Sequence, residues 1–232
     1  MSPRDVGIVI PAAGSGTRFG AKKQFLELAG RPMLHHSLDL FASLEGVAEV
    51  VIVGAESDLE TLDGVIDTWR TARQSSGVSP DLRTVRGGAR RQDSVENGIR
   101  ALGGSVEVVL VHDAARPLLT SNDARAVVDN VREHGAAVLG YPATDSVKEE
   151  RDGAVERGLV RDLVWLVQTP QGARRELLER AYREVTDGLH TDEVSLLSGI
   201  DVRAKLVEGS RQNMKVTLPG DLELAEFLLS RR

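Results

Sequence analysis

Two cations close behind a glycine-rich turn are the first chemistry that this chain of 232 residues offers. Pro11-Ala12-Ala13-Gly14-Ser15-Gly16-Thr17-Arg18 follows an apolar run directly, and Lys23 comes five residues after Arg18. Glycines let main-chain amides approach a phosphate without an intervening side chain, and successive amides converge on its oxygens. Arg18 and Lys23 beside such a cradle supply the positive charge that a triphosphate requires. An isolated Gly-Ser-Gly is equally a flexible turn, but the strand before it and the cations after it favour an anion site. The dinucleotide fingerprint would need a third glycine at Phe19 and the kinase-type P-loop a Gly-Lys-Ser/Thr, so neither motif is present.

Five further segments carry polar side chains at or beside apolar runs. Gly87-Gly88-Ala89-Arg90-Arg91-Gln92-Asp93-Ser94 follows a strand and opens a helix, offering amide donors and a hydroxyl to a base or ribose; Arg90 and Arg91 alone are also read as a solvated helix start. Val111-His112-Asp113-Ala114-Ala115-Arg116-Pro117 leaves the most apolar strand, so Asp113 can meet a metal or a hydroxyl and Arg116 can fork onto a phosphate. An internal Asp113–Arg116 salt bridge is the plainer alternative. Gln168-Thr169-Pro170-Gln171 and Thr191-Asp192-Glu193 read locally as turn and capping chemistry, with Thr191 as an N-cap. Lys215, inside Asn213-Met214-Lys215-Val216-Thr217, either snorkels from an edge or reaches into the site.

The elements that must hold these segments are strands and helices in alternation. Val6 to Pro11, Ala48 to Val53, Glu107 to His112 and Ala136 to Tyr141 are Val-rich runs without strict alternation, the pattern of strands covered on both faces. Leu34, Leu38 and Phe41, then Val95, Ile99 and Leu102, and finally Leu222, Ala225, Leu228 and Leu229 give helical stripes. Ser57 and Glu60 form a capping-box pattern, and Thr217 with Pro219 marks the start of the last helix. The order predicts an α/β fold, a Rossmann-like, mostly parallel sheet with helices on both faces, whose ligands bind at the carboxyl ends of the strands. Residues 1–232 read as one domain: a hydrophobic fraction of 41% is enough for one sizeable core, and neither a linker nor a repeat interrupts it.

Composition narrows the function. A net charge of −6 argues against nucleic acid as a partner. The absence of cysteine excludes disulfides, cysteine-type zinc sites and thiol nucleophiles, and fits a cytoplasmic location. The run from Val6 to Ala13 is too short to span a membrane and ends in glycines instead of a cleavage site. No Asp-x-Asp occurs, against a nucleotide-sugar glycosyltransferase. From Thr144 to Gln168 the alternation gives way to Lys148-Glu149-Glu150-Arg151-Asp152-Gly153 between two strand-like pieces, predicting a β-arm at about residues 142–167. Apolar residues on it, such as Val164 and Trp165, call for a symmetric partner, the alternative being an arm folded back on its own core.

In order, Pro11 to Arg18, Lys23-Gln24, Gly87-Gly88 with Arg91, Asp93 and Ser94, Val111 to Pro117, Thr169 to Gln171, Thr191 to Glu193 and Asn213 to Thr217 resemble the 2-C-methyl-D-erythritol 4-phosphate cytidylyltransferases of the non-mevalonate isoprenoid pathway. The resemblance covers nearly the whole chain. It implies cytidylyl transfer from CTP to methylerythritol phosphate, with Arg18, Lys23, Arg161 and Lys215 as the catalytic set. Arg161 would come from the arm of the second subunit of a homodimer. The nucleotide side would comprise Pro11, Ala12, Ala13, Gly14, Ser15, Gly16, Thr17, Gly87, Gly88, Arg91 and Ser94, of which Ala12, Ala13, Gly88 and Ser94 would contact cytidine. Asp113, Arg116, Ser146 and Thr169 would line the acceptor side. Mg²⁺ would be held mainly through the triphosphate, with Asp113 as the candidate protein ligand. The chain departs from the family pattern at Lys22, usually proline, at Ala89, usually acidic, and at Ser146, usually threonine. Two other readings are a cytidylyltransferase for another polyol phosphate, such as ribitol phosphate, and a nucleotide-sensing module without turnover.

Overall fold

Both faces of the first strand, β1 (Val6–Pro11), are covered. Ile8 and Ile10 point into one apolar layer with Leu34, Leu38, Phe41, Leu62 and Val127, while Val9 points into another with Val95, Ile99, Leu178 and Leu196. Successive side chains of a strand face opposite ways, so a continuous apolar run is what a strand between two layers of helices must be. The structure is a computed structural model and describes residues 3–14, 22, 25–73, 79–186 and 190–232.

After β1 come a small hairpin, β2 (Glu27–Leu28) and β3 (Arg31–Pro32), and then helix α1 (Met33–Ser43). Next are β4 (Val47–Gly54), α2 (Leu59–Ala72), β5 (Asp81–Arg86), α3 (Arg91–Ala101), β6 (Val108–Val111), α4 (Ser121–His134) and β7 (Ala136–Pro142). A second hairpin, β8 (Lys148–Arg151) and β9 (Ala154–Gly158), precedes β10 (Trp165–Arg174), α5 (Arg175–Glu184), α6 (Glu193–Ser198), β11 (Lys205–Glu208) and α7 (Pro219–Leu229). The main sheet has seven strands in the order β11-β7-β10-β6-β1-β4-β5. Neighbours run parallel except at β10, which is antiparallel to both β6 and β7. Residues from α1, α2 and α4 cover one face, and residues from α3, α5 and α6 the other. The α/β reading therefore stands, with helices on both faces.

Helix α7 packs Ala225, with Leu222, Leu228 and Leu229, against Leu28, Met33, Leu118 and Val216, the stripe expected from its spacing. Its first turn is fixed by Asp221, whose carboxylate accepts the amides of Thr217 and Leu218, each at 2.7 Å, and the Thr217 hydroxyl at 2.8 Å. The Ser57–Glu60 capping box does not form. A 3-10 turn over Glu56–Asp58 puts Asp58 at the N-cap of α2 without a capping bond, and its buried carboxylate instead receives the Ser57 hydroxyl and the Lys22 ammonium. A desolvated carboxylate wins the nearby cation and hydroxyl over the helix amides.

Strands β7 and β10 pair as far as Pro142 opposite Trp165, and residues 143–164 leave the main sheet between them, β8 and β9 pairing only with each other. Residues 150–163 are all exposed. The large apolar side chains left in solvent there are Val155, Leu159, Val160 and Leu163, at 68%, 40%, 66% and 81% exposure; Val164 and Trp165, where the chain rejoins the sheet, are half-buried. Among the described residues no helix is long and apolar enough to cross a membrane.

The close approach of α3 to the sheet depends on Gly98, where an added Cβ would lie 2.5 Å from Val9 Cγ1 and 2.8 Å from Val53 Cγ2. Both neighbours are β-branched and stiff. Gly98→Ala is expected to destabilise the fold by about 1–3 kcal/mol in urea unfolding, the range for overpacking a core; an unchanged midpoint would contradict this packing account.

Candidate active site

Hydrogen bonds at the carboxyl ends of β1, β4 and β5 draw two loops together: the Ala12 amide donates to the Val53 carbonyl and the Gly87 amide to the Gly54 carbonyl, both at 2.7 Å. The glycine pair is required by space. A Cβ on Gly87 would lie 2.7 Å from Ser94 Oγ and 3.1 Å from Ala13 Cβ, and one on Gly88 would lie 2.3 Å from Asp93 Cβ. Ser94 Oγ accepts the Gly88 amide and donates to the Arg90 carbonyl, each at 3.1 Å, so its hydroxyl shapes the loop. Ala12 is buried, Pro11 and Ala13 are half-buried, and Gly14 is exposed. Ser15, Gly16, Thr17, Arg18 and Lys23 lie outside the described residues.

The second half of the site is a chain of alternating charge. Arg91, on the first turn of α3, donates through Nη1 to Glu193 Oε1 at 2.8 Å and through Nη2 to Glu193 Oε2 at 3.2 Å, and Nη2 also reaches Asp113 Oδ1 at 3.4 Å. Lys215 Nζ donates to the other Asp113 oxygen at 2.7 Å. Burial pushes the Asp113 carboxyl up, but Lys215 and Arg91 outweigh it and hold the group at about 2. Burial pushes Glu193 up, with Arg91 opposing; for Arg91 burial acts downward and the Glu193 charge prevails, raising it. Arg90, by contrast, is exposed and pairs locally with Asp93, the solvated helix start expected of it.

The anticipated Asp113–Arg116 ion pair is not formed. Arg116 Nη1 donates to the Asn213 carbonyl at 2.8 Å, and the Val216 amide donates to the Ala115 carbonyl at 2.8 Å, so the loop that carries Lys215 is laced to the Asp113–Arg116 turn. Asn213, fully buried, donates to the Thr169 carbonyl at 2.9 Å and to Gln168 Oε1 at 3.2 Å. His112 is the hub beneath. The Arg116 carbonyl can only accept, so the ring proton sits on Nε2, 3.1 Å away. Nδ1 then accepts the Thr169 hydroxyl at 3.2 Å, and Thr169 Oγ1 accepts the Asp113 amide at 3.1 Å. Thr169 is thus buried within the joint that orients Asp113.

Ser146 and Arg161 lie on the arm, both exposed. Among the described residues Arg161 donates to the Thr144 carbonyl at 3.5 Å and to Asp162 at 3.4 Å, and does not join the Asp113 cluster of its own chain. Asp192, not Thr191, caps α6: its carboxylate accepts the Ser195 amide at 2.9 Å and the Gln171 side chain at 3.1 Å, while the Val194 amide donates to Gln171 Oε1 at 3.0 Å. Gln171 captures Asp192 from the neighbouring strand, which settles the cap one residue later than its local pattern suggests. Among the described residues no three His, Asp or Glu gather to hold a metal, and both Asp113 oxygens are taken by cations.

Main-chain amides on one side and cations on the other, at the carboxyl edge of such a sheet, are the features of an α/β protein that binds anionic, nucleotide-like ligands. The model of the 2-C-methyl-D-erythritol 4-phosphate cytidylyltransferase family, IspD, matches residues 6–231, and the chain belongs to that family. A 2-C-methyl-D-erythritol 4-phosphate cytidylyltransferase of Solibacter usitatus is 39% identical over 97% of this chain and 95% of its own. Among solved structures, 4-diphosphocytidyl-2C-methyl-D-erythritol synthase from Anaerococcus prevotii superposes with a TM-score of 0.82 at 26% identity, covering 97% of this chain and 96% of that one. The Thermus thermophilus cytidylyltransferase gives 0.75 at 30% identity, covering 97% and 99%.

Desolvation lowers the His112 imidazole to about 4 from its ordinary 6.5. Between those values the unfolded chain takes up a proton that the folded one does not, so stability falls as the pH drops from 6.5 toward 4, by up to about 3 kcal/mol. Asp113, held low, acts in a separate window: its pairing stabilises above its usual 3.8 and is lost as the pH falls toward about 2. Urea midpoints at pH 7 and 4.5 should therefore separate more for the wild type than for His112→Asn. Equal slopes would show that His112 is not the buried neutral group described.

Proposed function

We propose that this protein transfers the cytidylyl group of CTP to 2-C-methyl-D-erythritol 4-phosphate, giving 4-diphosphocytidyl-2-C-methyl-D-erythritol and pyrophosphate, a step in the making of isoprenoid precursors. The observation that carries the reading is the family match across residues 6–231. The charge at the carboxyl edge of the sheet supports it, because Lys215 is 43% exposed and its ammonium can turn from Asp113 to an incoming phosphate.

A phosphate oxygen of the acceptor forms a bond to the α-phosphorus as the bond from that phosphorus to the bridging oxygen breaks, and pyrophosphate leaves. The acceptor phosphate is already an anion at neutral pH, so no strong base is needed and positioning with charge neutralisation dominates. Ala12, Ala13, Gly88 and Ser94 take the cytidine, and Arg18 and Lys23 neutralise charge that develops at the α-phosphate. Asp113 and Arg116, with Thr169 beneath them, line the acceptor side. Mg²⁺ brought in with CTP would be held mainly through the triphosphate, with Asp113 as the candidate protein ligand, and would offset the repulsion between two polyanions. We further propose a cytoplasmic homodimer in which the arm of each copy lies on the other and delivers Arg161, with Ser146 at the arm's base, to the partner's acceptor phosphate. The exposed Val155, Val160 and Leu163 support this, since apolar side chains clustered on an extension call for cover.

Pyrophosphate release with Mg²⁺ should depend on CTP together with methylerythritol phosphate, exceed that with UTP, ATP or GTP, and fall by about 10²-fold or more in Arg18→Ala or Lys23→Ala. Release with ribitol phosphate alone would reassign the acceptor, and CTP binding without release would make the chain a sensor. For the arm, Leu163→Glu is expected to halve the mass measured by light scattering and to lower turnover together with it. A variant that stays dimeric and fully active would remove the arm from the interface.

A further inference from the structure

Glu193 carries a carboxyl group, is only 3% exposed and sits on neither loop assigned to the substrates. Its position is set with care: Gln171 on β10 grips the start of α6 through both Asp192 and the Val194 amide, and the next carboxylate, Glu193, takes Arg91 end-on with two hydrogen bonds. A two-pronged contact fixes the plane of the guanidinium. That plane aims a third N–H at Asp113 Oδ1, while Lys215 holds Oδ2. A buried acid–arginine pair is a poor source of stability, because desolvating both groups offsets most of their attraction.

We infer that Glu193 is a positioning residue for the transfer reaction, acting through Arg91 to set the Asp113 carboxylate against Lys215. Glu193 also balances charge. With it, Arg91 is satisfied and makes only one long contact to Asp113, which leaves Lys215 as the principal partner of that carboxylate. Without it, Arg91 turns both prongs onto Asp113 and competes with Lys215, so the lysine loses the anchor that orients it toward the acceptor phosphate. The inference rests on the reading of Asp113 and Lys215 as the acceptor side.

Glu193→Gln keeps the shape and removes the charge. It is expected to lower kcat/KM for methylerythritol phosphate by about tenfold, a larger factor than any change in the CTP dissociation constant. If Glu193 acts through Arg91, the double variant Arg91→Met/Glu193→Gln is no slower than Arg91→Met alone, and because it removes both buried charges it also controls for misfolding. Additive losses in the double variant, or acceptor kinetics unchanged in Glu193→Gln while Lys215→Ala is impaired, would overturn the proposal. Unimpaired Lys215→Ala would instead remove the acceptor-side reading on which it rests.

Discussion

A carboxylate whose side chain is only 14% exposed has to be neutralised where it stands, and Asp113 meets that demand with Arg91 on one oxygen and Lys215 on the other. The two cations arrive from opposite ends of the sequence, one on the first turn of α3 and one in the loop before α7. Their meeting requires that β6 be central, that α3 lie close on the sheet through Gly98, and that the 213–216 loop be laced to the turn after β6. The site is thus a consequence of the finished fold. Its charges are set in place before any anion arrives, which is the condition under which electrostatic stabilisation is effective.

Beneath the carboxylate the supports are neutral and fully buried. His112, Thr169 and Asn213 use their polar atoms on one another, on Gln168 and on main chain, and of these three residues Asn213 alone keeps a side-chain atom, Oδ1, without a partner among the described residues. A neutral hub suits this place. A protonated imidazole beside Arg116 would add a positive charge in a desolvated region, and burial, with Arg116, lowers His112 against it.

Much of the frame was legible because it follows from period and position. The Val-rich runs became the buried strands, and the glycine pair and Asp113 fell at carboxyl ends, as the topology of parallel sheets requires. What escaped depends on partners distant in sequence. Glu193 read as a capping segment because its salt bridge to Arg91 spans the chain from α6 to α3; only its place beside two other polar residues hinted at more. Thr191 looked like a cap because the capture of Asp192 by Gln171 cannot be seen locally. The Ser57–Glu60 box failed for the same reason, Asp58 having been claimed by Lys22. The reversed direction of β10 and the edge strand β11 carried no periodic signal strong enough to reveal them.

Strand β10 reverses in the middle of the sheet, so it joins β7 by a hairpin and not by a crossover, and the whole excursion of residues 143–164 hangs from two paired feet, Pro142 and Trp165. The entropy of closing such a loop grows only with the logarithm of its length, about 0.6 kcal/mol for each doubling. The excursion can therefore lengthen, shorten or change sequence with little penalty to the domain that bears it. Among relatives, changes of length should collect at the tip of the excursion, between β8 and β9, with the feet and the segments that carry Ser146 and Arg161 held constant.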